Sequence, residues 1–155
     1  MAWMEAALDQ LDPSRLTVAI LGSHSALEVC RGAKAHGFRT LVVARRGRDR
    51  TYSHHFATRD GLGCVDEVIL MERFRELLER DAQEQLRARH SVFVPHRSFE
   101  VYLNSDYDAI EQDFRVPMFG NRYLLRIEER ELVPNQYDLL DQAGIRHPRL
   151  YRQAD

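Results

Sequence analysis

Two short segments carry the residue types best suited to chemistry, Gly22-Ser23-His24-Ser25 and His96-Arg97-Ser98-Phe99, and each directly follows an apolar run. A serine hydroxyl both donates and accepts, and a neutral imidazole does the same and changes charge near neutral pH. Ser23, His24, His96 and Ser98 are therefore candidates to hold a polar or anionic ligand. A third segment adds positive charge: Arg45, Arg46, Arg48 and Arg50 crowd together after another apolar run. Solvated charge is one reading of that cluster. The other is that Arg46 or Arg48, together with Arg97, clamps a phosphate with a planar guanidinium fork. Gly22 suits a tight turn into a helix whose first amides would hold a phosphate or carboxylate. Ser25-Ala26-Leu27-Glu28 also fits the S-x-x-E capping box, in which Ser25 and Glu28 would consume two of those amides. Spacing leaves both uses open. The quartet lacks the second and third glycines of the dinucleotide fingerprint, and the chain has neither a G-x-S-x-G elbow nor a Ser-His-Asp order. No residue is assigned a catalytic role.

These segments need a scaffold that brings them together. Four short runs rich in β-branched residues read as buried strands: 16–21 (LTVAIL), 40–44 (TLVVA), 67–71 (EVILM) and 91–95 (SVFVP). VPMF at 116–119 reads as a fifth. Between the first two, Ala26, Val29, Cys30 and Ala33 recur at helical spacing and Gly37 is placed to end the helix. The second crossover, Arg45 to Gly63, is long and irregular. The third, RFRELLERDAQEQLRARH, reads as one helix. Continuous apolar strands alternating with amphipathic helices imply an α/β fold with an open, mostly parallel sheet flanked by helices, Rossmann-like in plan. In such a sheet the ligand crevice lies outside the carboxyl ends of the strands, so the Gly22, Arg45, His96 and Gly120-Asn121-Arg122 segments all fall on one rim.

The 155 residues read as one domain. Met4, Ala7, Leu8 and Leu11 suggest that 1–12 is a docking helix ending before Pro13, with Trp3 packed. NRYLLRIEER and QYDLLDQAGI read as two short helices around Pro134, with Gly144 as a C-cap. His54 and His55 are adjacent and read as solvated loop rather than as a metal pair; His36, His90 and His147 carry no motif. With 44% hydrophobic and 30% charged residues and a net charge of −2, the composition suits a soluble chain and gives no nucleic-acid surface. The acidic start and the absence of a long apolar segment argue against a secretory signal or membrane span, and the expected compartment is the cytoplasm. Cys30 and Cys64 lack C-x-x-C spacing and read as core thiols.

In combination, LGSHSALEVCRGAKAHGFRTLVVARRGRDRTY, SVFVPHRSFEVYL, VPMFGNRYLLRIEER and LLDQAGIRHPRLY resemble the N-terminal domain of the archaeal-type formate-dependent phosphoribosylaminoimidazolecarboxamide (AICAR) ligases, or FAICAR synthetases. The resemblance covers nearly the whole chain and implies a pre-ATP-grasp domain. It implies that His24 and Ser98 contact AICAR, while ATP phosphorylates formate and the substrate amine attacks the formyl phosphate. Family members continue into an ATP-grasp domain that binds nucleotide and magnesium; 134–155 resembles the lead-in to it, and 155 residues cannot contain a complete one. The chain differs locally from the pattern. Arg97 stands where the family has glycine, Tyr52-Ser53-His54-His55-Phe56 replaces a basic Y-K-R-F segment, ATRDGLG looks like an added loop, and the family tryptophan is replaced near Ile127.

The expectation is thus a substrate-binding half of an ATP- and formate-dependent ligase of purine (IMP) biosynthesis, inactive alone. It has no cofactor or metal of its own; ATP and magnesium come with a partner ATP-grasp domain. Its partners are an AICAR-like molecule, a separately encoded ATP-grasp subunit and a second copy of the chain, with no nucleic acid and no membrane. The alternative is a stand-alone nucleotide-like ligand-binding or protein-interaction module without ligase activity.

Overall fold

The computed structural model describes Leu8, Asp9 and Leu11–Arg149. The chain divides into two compact units, Met1–Gly120 and Asn121–Asp155. In the first, β1 (Thr17–Leu21), β2 (Arg39–Arg45), β3 (Glu67–Met71) and β4 (Ser91–Phe93) form a parallel sheet in the order β3-β2-β1-β4. Thr17 pairs with both Arg39 and Ser91, so β1 is flanked on both sides. Ala19 to Leu21 and Leu41 to Ala44 are fully buried, as strands covered on two faces require.

Alternation along the strands sorts the core into two halves. On one face Ile20, Val42 and Ala44 pack with Ala26 and Cys30 of α1 (Ala26–Ala35) and with Tyr52, Cys64 and Val65. Burial pushes the Cys30 thiol up to about 12 and raises that of Cys64, so both are inert core thiols. On the other face Phe93, Phe99 and Phe114 form an aromatic triad with ring centroids 4.8 to 5.4 Å apart. Gly37, at φ +81°, follows α1 in the left-handed region expected of a C-cap glycine.

Two expected elements come out differently. The run 116–119 is not a full strand; it makes one parallel bridge, Phe93 to Met118. Phe93 N–H donates to Pro117 O and Phe119 N–H to Phe93 O, but Pro117 has no N–H with which to extend the ladder. The third crossover is not one helix but a 3-10 turn, Phe74–Leu78, and then α2, Arg80–Arg87. Glu79 between them is extended, and the carbonyl of Leu78 is satisfied at the break by the buried side chain of Gln83, whose Nε2 donates to it at 3.0 Å.

The second crossover is irregular, as expected, and holds a π-helical turn at Thr51–His55 in which His54 and His55 are exposed. α3 (Arg97–Tyr102) follows β4. Of the expected docking helix only Leu8, Asp9, Leu11 and Asp12 are described; Leu8 is exposed and Leu11 half-buried, and Met4, Ala7 and Trp3 lie outside the described residues. In the second unit α4 (Gln136–Gln142) starts at a capping box made by Asn135 and Asp138, and Gly144 follows it at φ +67°. There Leu139 and Ile145 are exposed and Leu140 is half-buried, while Leu150 lies outside the described residues. No described helix is long and apolar enough to cross a membrane.

Candidate functional site

Strand order reverses direction at β1: the chain moves outward through β2 and β3, then returns to place β4 on the other side. The carboxyl ends of β1 and β4 therefore flank the topological switch point, the usual ligand crevice of open parallel sheets. Both sequence-predicted segments sit there, and their side chains meet. Ser23 Oγ donates to Ser98 Oγ at 2.8 Å, and Ser98 Oγ lies 3.2 Å from His24 Nδ1. Ser98 thereby links the hydroxyl of Ser23 to Nδ1 of His24, and Nε2 lies at the outer edge of the exposed His24 ring.

His96 joins the same group but is used internally. As the N-cap of α3 it accepts the Ser98 N–H on Nδ1 at 3.1 Å. Its Nε2 lies 3.1 Å from the carbonyl oxygen of Leu21, the last residue of β1; with Nδ1 accepting, Nε2 carries the proton and donates. Both nitrogens are thereby consumed in strapping the start of α3 to the end of β1. Burial lowers the pKa of His96, in keeping with a neutral ring. The rings of His24 and His96 meet edge to face, centroids 6.0 Å apart.

The capping question is also answered. Ser25 occupies the N-cap position of α1 but makes no side-chain cap bond, so the S-x-x-E box is not formed. The first amides of α1 are not consumed by it. Gly22 is needed for a reason that spacing could not show: a Cβ there would lie 2.8 Å from the Tyr52 ring and 3.1 Å from Val43 O. Tyr52, which sequence reasoning assigned to no site, donates from its hydroxyl to Ser23 O at 3.1 Å.

The arginines are disposed differently. Arg46 is exposed and paired with Glu72 at 2.5 Å. Arg97 reaches the buried Glu100, Nη1 to Oε2 at 3.3 Å, and Glu100 Oε2 also accepts from the Tyr107 hydroxyl. Arg48 lines a separate cavity of about 1080 Å³ with Arg45, Arg73, Arg75 and, facing them, Glu79 and Asp106. Among the described residues no three His, Cys, Asp or Glu are grouped to hold a metal ion. The convergent set is thus Ser23, His24 and Ser98, braced by His96: two hydroxyls, an outward imidazole edge and a helix start, groups with the chemistry to hold and orient a polar molecule.

A family described as "Protein of unknown function (DUF1246)" matches residues 18–151. The chain belongs to this family. Among curated relatives, the 5-formaminoimidazole-4-carboxamide-1-(beta)-D-ribofuranosyl 5'-monophosphate synthetase of Methanopyrus kandleri is 43% identical over 144 residues, 93% of this chain and 37% of that protein. The protein of the same name from Methanothermobacter thermautotrophicus is 43% identical over 141 residues, covering 90% of this chain and 36% of that one. Among solved structures, an IMP biosynthesis protein PurP from Thermococcus kodakaraensis superposes with a TM-score of 0.63 at 29% identity, covering 89% of this chain and 40% of that chain. The family member described here therefore spans a little over a third of the length of the curated relatives it matches.

Proposed function

We propose that this chain is the substrate-binding part of an ATP- and formate-dependent ligase that converts AICAR to FAICAR in purine biosynthesis, and that it is inactive alone. The observation that carries the reading is the hydrogen-bonded chain Ser23–Ser98–His24 at the switch point, where segments 75 residues apart in sequence supply one polar surface. The names of the relatives supply the ligand class. In this reading the His24 ring edge and the Ser98 hydroxyl hold the aminoimidazole carboxamide end, and the amides of the first turn of α1 beyond Ala26, whose N–H is bonded to Ser23 O, take the phosphate. The contribution to the reaction is positioning of the amine.

Activation of formate belongs to an ATP-grasp domain outside these residues, in a separately encoded subunit or a continuation of the chain. No step is assigned to ATP here. Titration calorimetry with AICAR tests the proposal: the wild-type chain binds, and His24→Ala combined with Ser98→Ala weakens binding at least about a hundredfold. A double variant that binds as tightly as wild type removes these residues from the site. A wild-type chain that gives no heat with AICAR leaves the stand-alone binding or interaction module as the better reading.

A further inference from the structure

Ser25 forms no cap on the turn that presents Ser23 and His24; main-chain bonds from Gly22 N–H to Val43 O and from Ala26 N–H to Ser23 O hold it from within, and the second crossover adds a further contact. The Tyr52 ring is buried in the core face beside Ala26, Cys30 and Val42, and closes over Gly22, where only a glycine leaves room for it. Its hydroxyl donates to the Ser23 carbonyl as the second donor there, beside the Ala26 N–H. Tyr52 is itself anchored from behind: its N–H donates to Asp49 O at 2.8 Å, Phe56 N–H donates to Thr51 O, and the N–H groups of Cys64 and Val65 both donate to Phe56 O.

A trans peptide is planar, with its C=O and N–H pointing in opposite directions. The Ser23 carbonyl and the His24 N–H belong to one such plane. A donor that fixes the carbonyl on the Tyr52 side therefore aims the His24 N–H the opposite way, and this N–H has no acceptor among the described residues. We infer that Tyr52 is a positioning residue of the ligand site, setting the Ser23–His24 peptide plane so that the His24 N–H and imidazole face a bound anionic or polar group. The inference rests on the AICAR-binding reading for its ligand, but the orientation it describes is a property of the free chain.

The test uses Tyr52→Phe in the 155-residue chain, which keeps the ring over Gly22 and removes only the hydroxyl. Loss of one hydrogen bond that orients the site raises the Kd for AICAR about fivefold. In the ligand-free chain the His24 backbone amide resonance shifts, while those of β3, such as Ile69, stay in place. A merely structural tyrosine would lower the thermal midpoint and leave both the Kd and the His24 amide unchanged, and that result overturns the inference. Gly22→Ala pushes the ring aside and adds little to Tyr52→Phe in the double variant, because both act through one contact; additive effects on Kd count against it. If wild type fails to bind AICAR, the proposed function falls, and the His24 resonance alone then decides whether Tyr52 sets the turn.

Discussion

Two polar regions lie at the carboxyl ends of the same sheet and differ in everything but location. Beyond β2 and β3 is a cavity of about 1080 Å³ rimmed by Arg45, Arg48, Arg73 and Arg75 and by carboxylates. Its charges offset one another: Arg75 pairs with Asp106 at 2.7 Å, and Glu76 spends an oxygen on the Arg73 N–H. At the β1–β4 switch point the groups are fewer and less charged, yet each is tied to a neighbour, Ser23 and His24 through Ser98, with His96 strapping the two turns together. On the proposed reading, preorganised direction marks the site better than volume and formal charge do. Exposed arginines lose side-chain entropy when they bind, whereas hydroxyls and imidazoles already locked by neighbours lose little.

The largest effect follows from breaking the ordered region. His24→Ala together with Ser98→Ala is expected to weaken AICAR binding at least about a hundredfold, since each hydrogen bond to a charged or polar ligand is worth about 1.5 kcal/mol or more. Titration calorimetry reads this directly. Fold is expected to be retained, because His24 is exposed and Ser98 half-buried.

Next in size is the brace. His96→Ala removes a helix cap and leaves the Leu21 carbonyl without its donor, a cost of about 2 kcal/mol, or roughly 4–8 °C in thermal midpoint. The same residue gives a pH dependence with a definite sign. In the unfolded chain it titrates near the ordinary value of about 6.5; in the fold, burial and the nearby His24 lower it, although the Leu21 carbonyl opposes this. Unfolded chains then bind the extra proton first. Its contribution to stability is complete above about pH 6.5 and is lost as pH falls toward the folded value. His147 behaves oppositely: hydrogen bonding to Asp141 raises its pKa. A proton NMR titration of the ring resonances is expected to place His96 below and His147 above the usual range. His96 titrating above that range would mean that it is not the neutral strap.

Much of this architecture was legible in residue order. The strand at 40–44 is a continuous apolar run buried on both faces, while 67–71 is the sheet edge, where Ile69 and Met71 are buried and Leu70 is exposed. The meeting of Ser23 and His24 with Ser98 followed from one topological rule, that turns after parallel strands share a rim. What sequence could not give was the use made of each residue. His96 looked like a second ligand group because nothing in the string P-H-R-S-F shows that both ring nitrogens are taken. Ser25 and Glu28 had the spacing of a capping box and do not form one. Tyr52 lay hidden in an irregular crossover, and its contact with Gly22 spans a gap that no local pattern crosses. Periodicity records which face a residue occupies, while hydrogen-bond partners depend on distances set by the whole fold.

The smallest expected effects come from the arginine-lined region, and they sharpen the contrast most. Arg45→Ala with Arg48→Ala is expected to change the AICAR Kd by less than about twofold and stability by less than about 0.5 kcal/mol, as for surface substitutions away from packed features. Arg46→Ala removes an ion pair in which both partners are largely exposed, worth about 0–1 kcal/mol and screened by salt. The informative comparison is ionic strength. If the switch point alone holds the ligand, the wild-type chain and the Arg45→Ala/Arg48→Ala variant lose affinity in parallel as salt rises, because the helix-start amides and hydroxyls remain in both. A variant whose salt dependence flattens while its affinity drops tenfold would show that guanidinium groups share the phosphate. The cavity beyond β2 and β3 would then be the second half of one binding site, and the division drawn here between ordered and merely charged surface would fail.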